Sequence, residues 1–214
     1  MSQTDFSYED FLKYLIKGNK TESAQLINFY ISKGINIKDI YENVIRKSLY
    51  KVGELWEQNK VSVATEHMAT AITESILNDI FEHTISDNRT GKKIIAACVE
   101  NENHQVGIKM VADIFEANGW HSYFMGANTP TMELINFAKV INPDVIALSL
   151  SIYFNLPILK KMIIEIRNQL PNVSIIVGGQ AFNRIEFDLD KTYKKIHYLP
   201  DLYSIENFIN NWQK

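Results

Sequence analysis

The sequence predicts an α/β protein in two parts: an amino-terminal four-helix bundle, then a Rossmann-like, flavodoxin-like domain built on a parallel sheet. Two observations predict this. From Asp5 to about Ile85 the apolar residues recur at helical spacing, and beyond residue 92 short apolar runs alternate with amphipathic stretches. Between the two lies "SDNRTGKK", polar and containing Gly91, which reads as a linker. The expected division is a bundle over 1–86, a linker over 87–91 and a sheet domain over 92–214.

In the first half, Val44, Ile45, Leu49, Val52, Leu55 and Trp56 illustrate the helical spacing, and breaks fall near Gly18, Gly34 and Asn59. The spacing predicts helices over 6–17, 21–33, 37–59 and 62–84. In the second half, "KIIAACV", "HSYFMG", "VIALSLS", "SIIVGG" and "KIHYLP" read as strands. Helices are expected over His104–Asn118, Thr131–Ile141 and Pro157–Gln169, with "SIENFINNW" as the last. Strands and helices in strict alternation predict a parallel sheet covered on both faces.

Composition narrows the function classes. With 46% apolar residues in 214, the chain can bury a sizeable core. Its 22 basic and 25 acidic residues, net charge -3, lack the electrostatic footprint of a nucleic-acid binder, so no direct nucleic-acid binding is expected. Cys98 is the single cysteine and has no internal disulfide partner, which suits a reducing compartment. No apolar run approaches the roughly 18 residues of a membrane span. The reading is a cytoplasmic protein without a membrane anchor.

Ligands of parallel α/β sheets bind at the carboxyl ends of the strands, and three features fall there. After the first strand stands Glu102-Asn103-His104-Gln105-Val106-Gly107. Ser149 and Ser151 close the third strand, and Gly178 and Gly179 close the fourth. Taken singly, the glycines could make a tight turn, and the serines could be satisfied by local backbone.

Together they resemble the cobalamin-binding signature Asp-x-His-x-x-Gly, with Glu102 in place of Asp. The residues between Gly107 and Ser149 (108–148) and between Ser151 and Gly178 (152–177) keep the spacing of that family's Ser-x-Leu and Gly-Gly elements. Ser151 stands where many members have Leu. The resemblance implies that His104 binds cobalt from the lower face after displacing the cofactor's own base. Glu102 would orient the imidazole and raise its basicity. The displaced nucleotide tail would pass Gly107, meet Ser149 deep in a slot, and find room beside Gly178 and Gly179.

The helical half carries Trp56, then nine residues (57–65), then Glu66 and His67. This resembles the Trp-x9-Glu-His pattern of the light-sensing domain in cobalamin-dependent photoreceptor regulators, as does the loop "MGANTP" over 125–130. In that family the tryptophan packs on the adenosyl group of adenosylcobalamin, with Glu and His beside it. Read from the residues alone, Trp56 falls on one helical face with Leu49 and Val52 and could belong to the bundle core. His67 could equally be a buried packing histidine. His83, His121 and His197 are assigned no role.

The expectation is a sensory binding protein rather than an enzyme, using cobalamin in the form of adenosylcobalamin. The alternative is a corrinoid methyl carrier of a methyltransferase system. Related photoreceptor repressors begin with a winged-helix region, and the residues before the second predicted helix cannot hold one. Output is therefore expected through a protein partner, possibly a transcription factor, or through homo-oligomerisation. Residue 57 is Glu where some of these photoreceptors place a histidine that captures cobalt after illumination, so water is the expected upper ligand in the light state.

Overall fold

The computed structural model describes residues 7–184 and 194–212, with the side chain of Arg184 left aside. It divides into two compact units, Met1–Thr84 and Ile85–Lys214. Among the described residues, no helix is long and apolar enough to cross a membrane.

The first unit holds α1 (Tyr8–Ile16), α2 (Lys20–Ser32), α3 (Ile37–Ile40), a π-helical segment (Tyr41–Arg46), α4 (Lys47–Glu57) and α5 (Val63–Asp79). Residue 6, where the first helix was expected to begin, lies outside the described residues. Three starts are fixed by side chains that accept orphan backbone N–H groups: Ser7 from Glu9, Asn36 from Lys38, and Ser62 from Thr65. Phe11, Leu15, Ile27, Ile40, Tyr41, Val44, Ile45 and Leu77 are fully buried. Burying each such side chain contributes on the order of 1.5–3 kcal/mol before chain entropy is charged against it. Two departures from the expected helices are plain. The third helix is interrupted by the π segment, and the fourth ends at Asp79, followed by a 3₁₀ turn at Phe81–Thr84.

The second unit is a five-stranded parallel sheet: β1 (Lys93–Cys98), β2 (His121–Gly126), β3 (Val145–Ser149), β4 (Ser174–Gly178) and β5 (Ile196–Tyr198). The order across it is β2-β1-β3-β4-β5. Its helices are α6 (Val106–Ala117), α7 (Thr131–Ile141), α8 (Leu156–Gln169) and α9 (Leu202–Asn210). The order reverses between β1 and β3, the switch point beside which ligands bind in such sheets.

Strand alternation sorts the side chains. Ile95, Ala97, Val99, Ile146, Leu148, Leu150, Ile175 and Val177 point to one face and pack on Leu134, Ile135 and Ala138 of α7 and on Leu159, Met162, Ile163 and Ile166 of α8. The alternate residues Ala96, Cys98, Ala147, Ser149 and Gly178 therefore point to the other face, the side packed by α6. Ile94, Val145 and Ile176 share this face, but its row at the carboxyl edge, Cys98, Ser149 and Gly178, carries little side-chain volume. The register sets Cys98, Ser149 and Gly178 side by side across the three central strands.

Candidate functional site

The site is assembled by the loops that leave β1, β2 and β3. Helix α6 begins at Val106, so His104 stands in the preceding loop and not on the helix, as had been expected. Its side chain is about half exposed, while that of Glu102 is completely buried.

Glu102 is the hub of the site. One carboxylate oxygen, Oε1, lies 2.5 Å from His104 Nδ1 and accepts the His104 backbone N–H at 3.1 Å. The other, Oε2, accepts the backbone N–H groups of Ser151 at 2.9 Å and Ile152 at 2.8 Å. Burial works to raise the carboxyl's pKa, but the hydrogen bonds from the His104 ring and from the Ile152, His104 and Ser151 N–H groups outweigh it and hold it at about 2. A carboxylate ionised across the ordinary pH range is thus fixed behind the imidazole. A neutral ring donating Nδ1–H to it carries its lone pair on Nε2, the arrangement in which histidines bind metals.

Further bonds lock the three loops together. Asn101, in the left-handed region at φ 67, donates its N–H to Asn128 Oδ1, and the Asn128 N–H returns to the Glu102 carbonyl. Gln105 Oε1 accepts the Ala127 N–H at 3.0 Å, and Glu100 Oε2 accepts the Thr131 hydroxyl at 2.8 Å. Gln105 and Ile152 were not picked out from the sequence. Ile152 acts through its backbone N–H, which no side-chain pattern advertises. Ser151 likewise contributes a backbone N–H to Glu102.

Below the loops, Ser149 is only 6% exposed. It sits on the face whose neighbours are Cys98 and Gly178, where large side chains are missing. A Cβ on Gly107 would meet nothing within 4 Å. The glycine pair has a nearer reason than a ligand: at Gly179, φ +112, a Cβ would lie 2.3 Å from the Leu150 carbonyl oxygen, and at Gly178 it would lie 2.8 Å from that of Leu199. The fourth strand's end is glycine because the chain's own backbone passes there. Burial and the Glu102 charge push the Cys98 thiol up to about 12, so it is an inert wall of this face.

In the helical unit, Trp56 closes α4 and is 47% exposed, so it is not a core residue. Glu66 stands in the first turn of α5 and His67 directly follows it, on the helix that packs on α4. Glu66 Oε1 accepts the Thr70 hydroxyl at 3.2 Å, and Oε2 is 3.5 Å from His67 Nε2. His67 is largely exposed and is not a packing histidine.

The residues fit a cobalamin: one imidazole oriented by a buried carboxylate, and beside it a strand edge of small residues, Cys98, Ser149 and Gly178. Residues 92–196 match the model of a B12 binding domain, and residues 7–79 match a second model of the same description. The HTH-type transcriptional repressor CarA of Myxococcus xanthus is 29% identical over 90 residues, 42% of this chain and 31% of the repressor. The CarH repressor of the same organism is 24% identical over 143 residues, covering 66% of this chain and 47% of CarH. The chain thus spans about a third of CarA and about half of CarH. Dimethylamine corrinoid protein 1 of Methanosarcina acetivorans is 25% identical over 146 residues, 66% of this chain and 68% of that one. In fold, the chain is similar to the Methanosarcina barkeri monomethylamine corrinoid protein, with a TM-score of 0.79 at 12% identity over 92% of this chain and 94% of that one. The chain is a cobalamin-binding protein that joins a helical and an α/β B12 binding domain and resembles the CarA and CarH repressors.

Proposed function

We propose that this protein is a sensor that uses adenosylcobalamin, with His104 as the lower axial ligand of cobalt and light as the stimulus. When bound, the cofactor supplies a cobalt–carbon bond that visible light breaks. Glu102 holds the His104 ring by Nδ1, which assigns Nε2 to the metal. Ser149 and the small-residue face receive the nucleotide tail, and Gly107 leaves the start of α6 clear. Trp56, Glu66 and His67 serve the upper ligand.

The observation that carries the sensor reading is the exposure of Trp56. A tryptophan at a helix end, left half-exposed, is what an adenosyl-binding surface needs and what a bundle core does not, and the Glu66–His67 pair stands on the helix that packs on its own. Loss of the adenosyl group would remove that partner, and packed helices respond to such a loss by discrete rearrangement. The signal then leaves through a protein partner, possibly a transcription factor, or through self-association.

A second reading is a corrinoid methyl carrier, favoured by the alignment that spans about two thirds of both this chain and the dimethylamine corrinoid protein. A carrier has no use for an adenosyl contact. Affinities for adenosylcobalamin and methylcobalamin measured in darkness separate the two. Tighter adenosylcobalamin binding, with an oligomeric state or partner affinity that changes on illumination, supports the sensor. Equal affinities and no response to light favour the carrier.

A further inference from the structure

At the amino ends of β3, β4 and β5 lies a cavity of about 980 Å³. Asp144, Ser174 and Lys195 line it, and they stand immediately before β3, at the first position of β4 and immediately before β5. Glu102 and His104 belong to the opposite edge of the sheet, and the five-residue strands β3 and β4 set the two edges roughly 16 Å apart. The walls of the cavity are sorted by chemistry. On the α9 side stand aromatic rings, with Phe208 5.3 Å from Trp212 and 5.0 Å from His197, centroid to centroid. The indole N–H of Trp212 is buried and has no hydrogen-bond partner among the described residues. On the α7–α8 side and at β5 stand two ammonium groups. Lys139 Nζ donates to Gln169 Oε1 at 2.8 Å and Lys195 Nζ to the Asn172 carbonyl at 3.0 Å, so the two converge on the end of α8. Both acceptors are neutral, and these bonds leave the charges uncancelled. Arg167 adds a positive charge behind Lys195, its Nη2 donating to the Lys195 carbonyl at 2.8 Å. Burial and the Arg167 charge together push His197 below its usual value. Asp144 is the one acid among the described lining residues, and its Oδ2 accepts the Lys93 backbone N–H.

We propose that this cavity is a second ligand site, for a nucleoside phosphate whose base lies against Phe208 and Trp212 and whose phosphate meets Lys139 and Lys195. The aromatic wall selects a flat ring system, and the ammonium pair selects an anion. A small aromatic acid has both features but leaves most of the volume empty, since cavities of roughly 300–1,000 Å³ hold drug-sized ligands. It also offers nothing to the side-chain amides of Asn142, Asn172 and Asn207, which line the same space and carry both donors and acceptors. A heterocyclic base and a sugar supply partners for them. The site is independent of the cobalamin reading, because no residue lining it belongs to the loops around His104.

The test is isothermal titration calorimetry on the full-length protein, with and without saturating aquocobalamin. The probes are AMP, GMP, CMP and UMP, the corresponding nucleosides, and inorganic phosphate. At least one nucleotide is expected to bind with a Kd below about 1 mM, and its nucleoside and inorganic phosphate each about tenfold more weakly or worse. Lys139→Gln and Lys195→Gln, both at exposed positions, are each expected to weaken that nucleotide about tenfold while leaving the nucleoside and the urea unfolding midpoint unchanged. Trp212→Leu should weaken nucleotide and nucleoside alike. The absence of any nucleotide binding below about 1 mM overturns the proposal. Inorganic phosphate that binds as tightly as the nucleotide marks a plain anion site and overturns it too. Binding that aquocobalamin abolishes, or that neither lysine variant changes, places the nucleotide elsewhere and overturns this site while leaving the cobalamin reading intact.

Discussion

Replacing Glu102 by glutamine removes one charge and almost no volume, and its cost can be worked from the structure in two ways. The carboxylate accepts four hydrogen bonds, two on each oxygen. The amide has one accepting oxygen and one NH2 group. Its best orientation keeps the oxygen on Ser151 and Ile152 and turns the NH2 toward His104, which takes the Glu102 acceptor away from the His104 N–H and inverts the ring's tautomer. Losing one buried bond and the charge assistance in the three others costs about 2–4 kcal/mol. The second route is linkage: a carboxyl whose usual value is 4.5, held at about 2 in the folded protein, contributes about 3 kcal/mol when ionised. Because its side chain is fully buried, solvent screening does not reduce that figure.

The sign follows from the direction of the shift. A depressed carboxyl stabilises the fold above its unfolded value and loses that contribution as the pH falls toward its folded one, so the window runs from about 4.5 down to about 2. The stability gap between the native protein and Glu102→Gln is therefore about 3 kcal/mol at neutral pH and about 1 kcal/mol at pH 3. Urea unfolding followed by tryptophan fluorescence reads it well, since Trp120 and Trp212 both belong to the α/β unit. A gap that does not change between neutral pH and pH 3 would refute the ionised, hydrogen-bonded Glu102 described here.

Other outcomes follow from the same geometry. His104→Ala should abolish the lower-ligand signature in the cobalamin absorption spectrum and weaken binding; an unaltered spectrum contradicts the assignment. Trp56→Ala should leave stability within about 1 kcal/mol of native, because the ring is half-exposed, yet narrow the gap between adenosylcobalamin and methylcobalamin affinities measured in the dark. Gly179→Ala should cost about 3 kcal/mol or more in urea unfolding, because a Cβ would lie 2.3 Å from a backbone oxygen at φ +112. Cys98 should resist alkylation in the folded protein and react on unfolding, since burial keeps it protonated at neutral pH.

Most of the α/β unit was legible because its central strands are buried on both faces and so appear as unbroken apolar runs such as "KIIAACV" and "VIALSLS". The Glu102–His104 pairing was legible because it rests on side-chain identity at a fixed spacing. The chemistry of the site was not legible where backbone carries it. The N–H groups of Ser151 and Ile152 are donors whatever side chains stand there, and the reach of Glu102 to them depends on how the β3–α8 connection folds back. The π segment at Tyr41–Arg46 has no proline or glycine to mark it, and its residues satisfy an ordinary helical pattern. The start of α6 was misjudged by two residues because nothing caps it by side chain, and that displacement is what puts His104 in a loop. Gly178 and Gly179 stand out in the sequence, and the approach they permit is first of all that of the Leu199 and Leu150 carbonyls.

The central claim is that His104 replaces the cofactor's own base on cobalt, and one spectrum tests it directly. The protein is produced with histidine labelled by 15N in the ring, loaded with cobalamin, reduced to the paramagnetic cobalt(II) state and examined by electron paramagnetic resonance. A nitrogen on the axis splits each cobalt line into three if it is 14N and into two if it is 15N. Doublets in the labelled protein that revert to triplets with unlabelled histidine are the predicted result. Triplets that persist under labelling would show the cofactor's own benzimidazole still on the metal, and would contradict the role given to His104 and to the Glu102 carboxylate behind it.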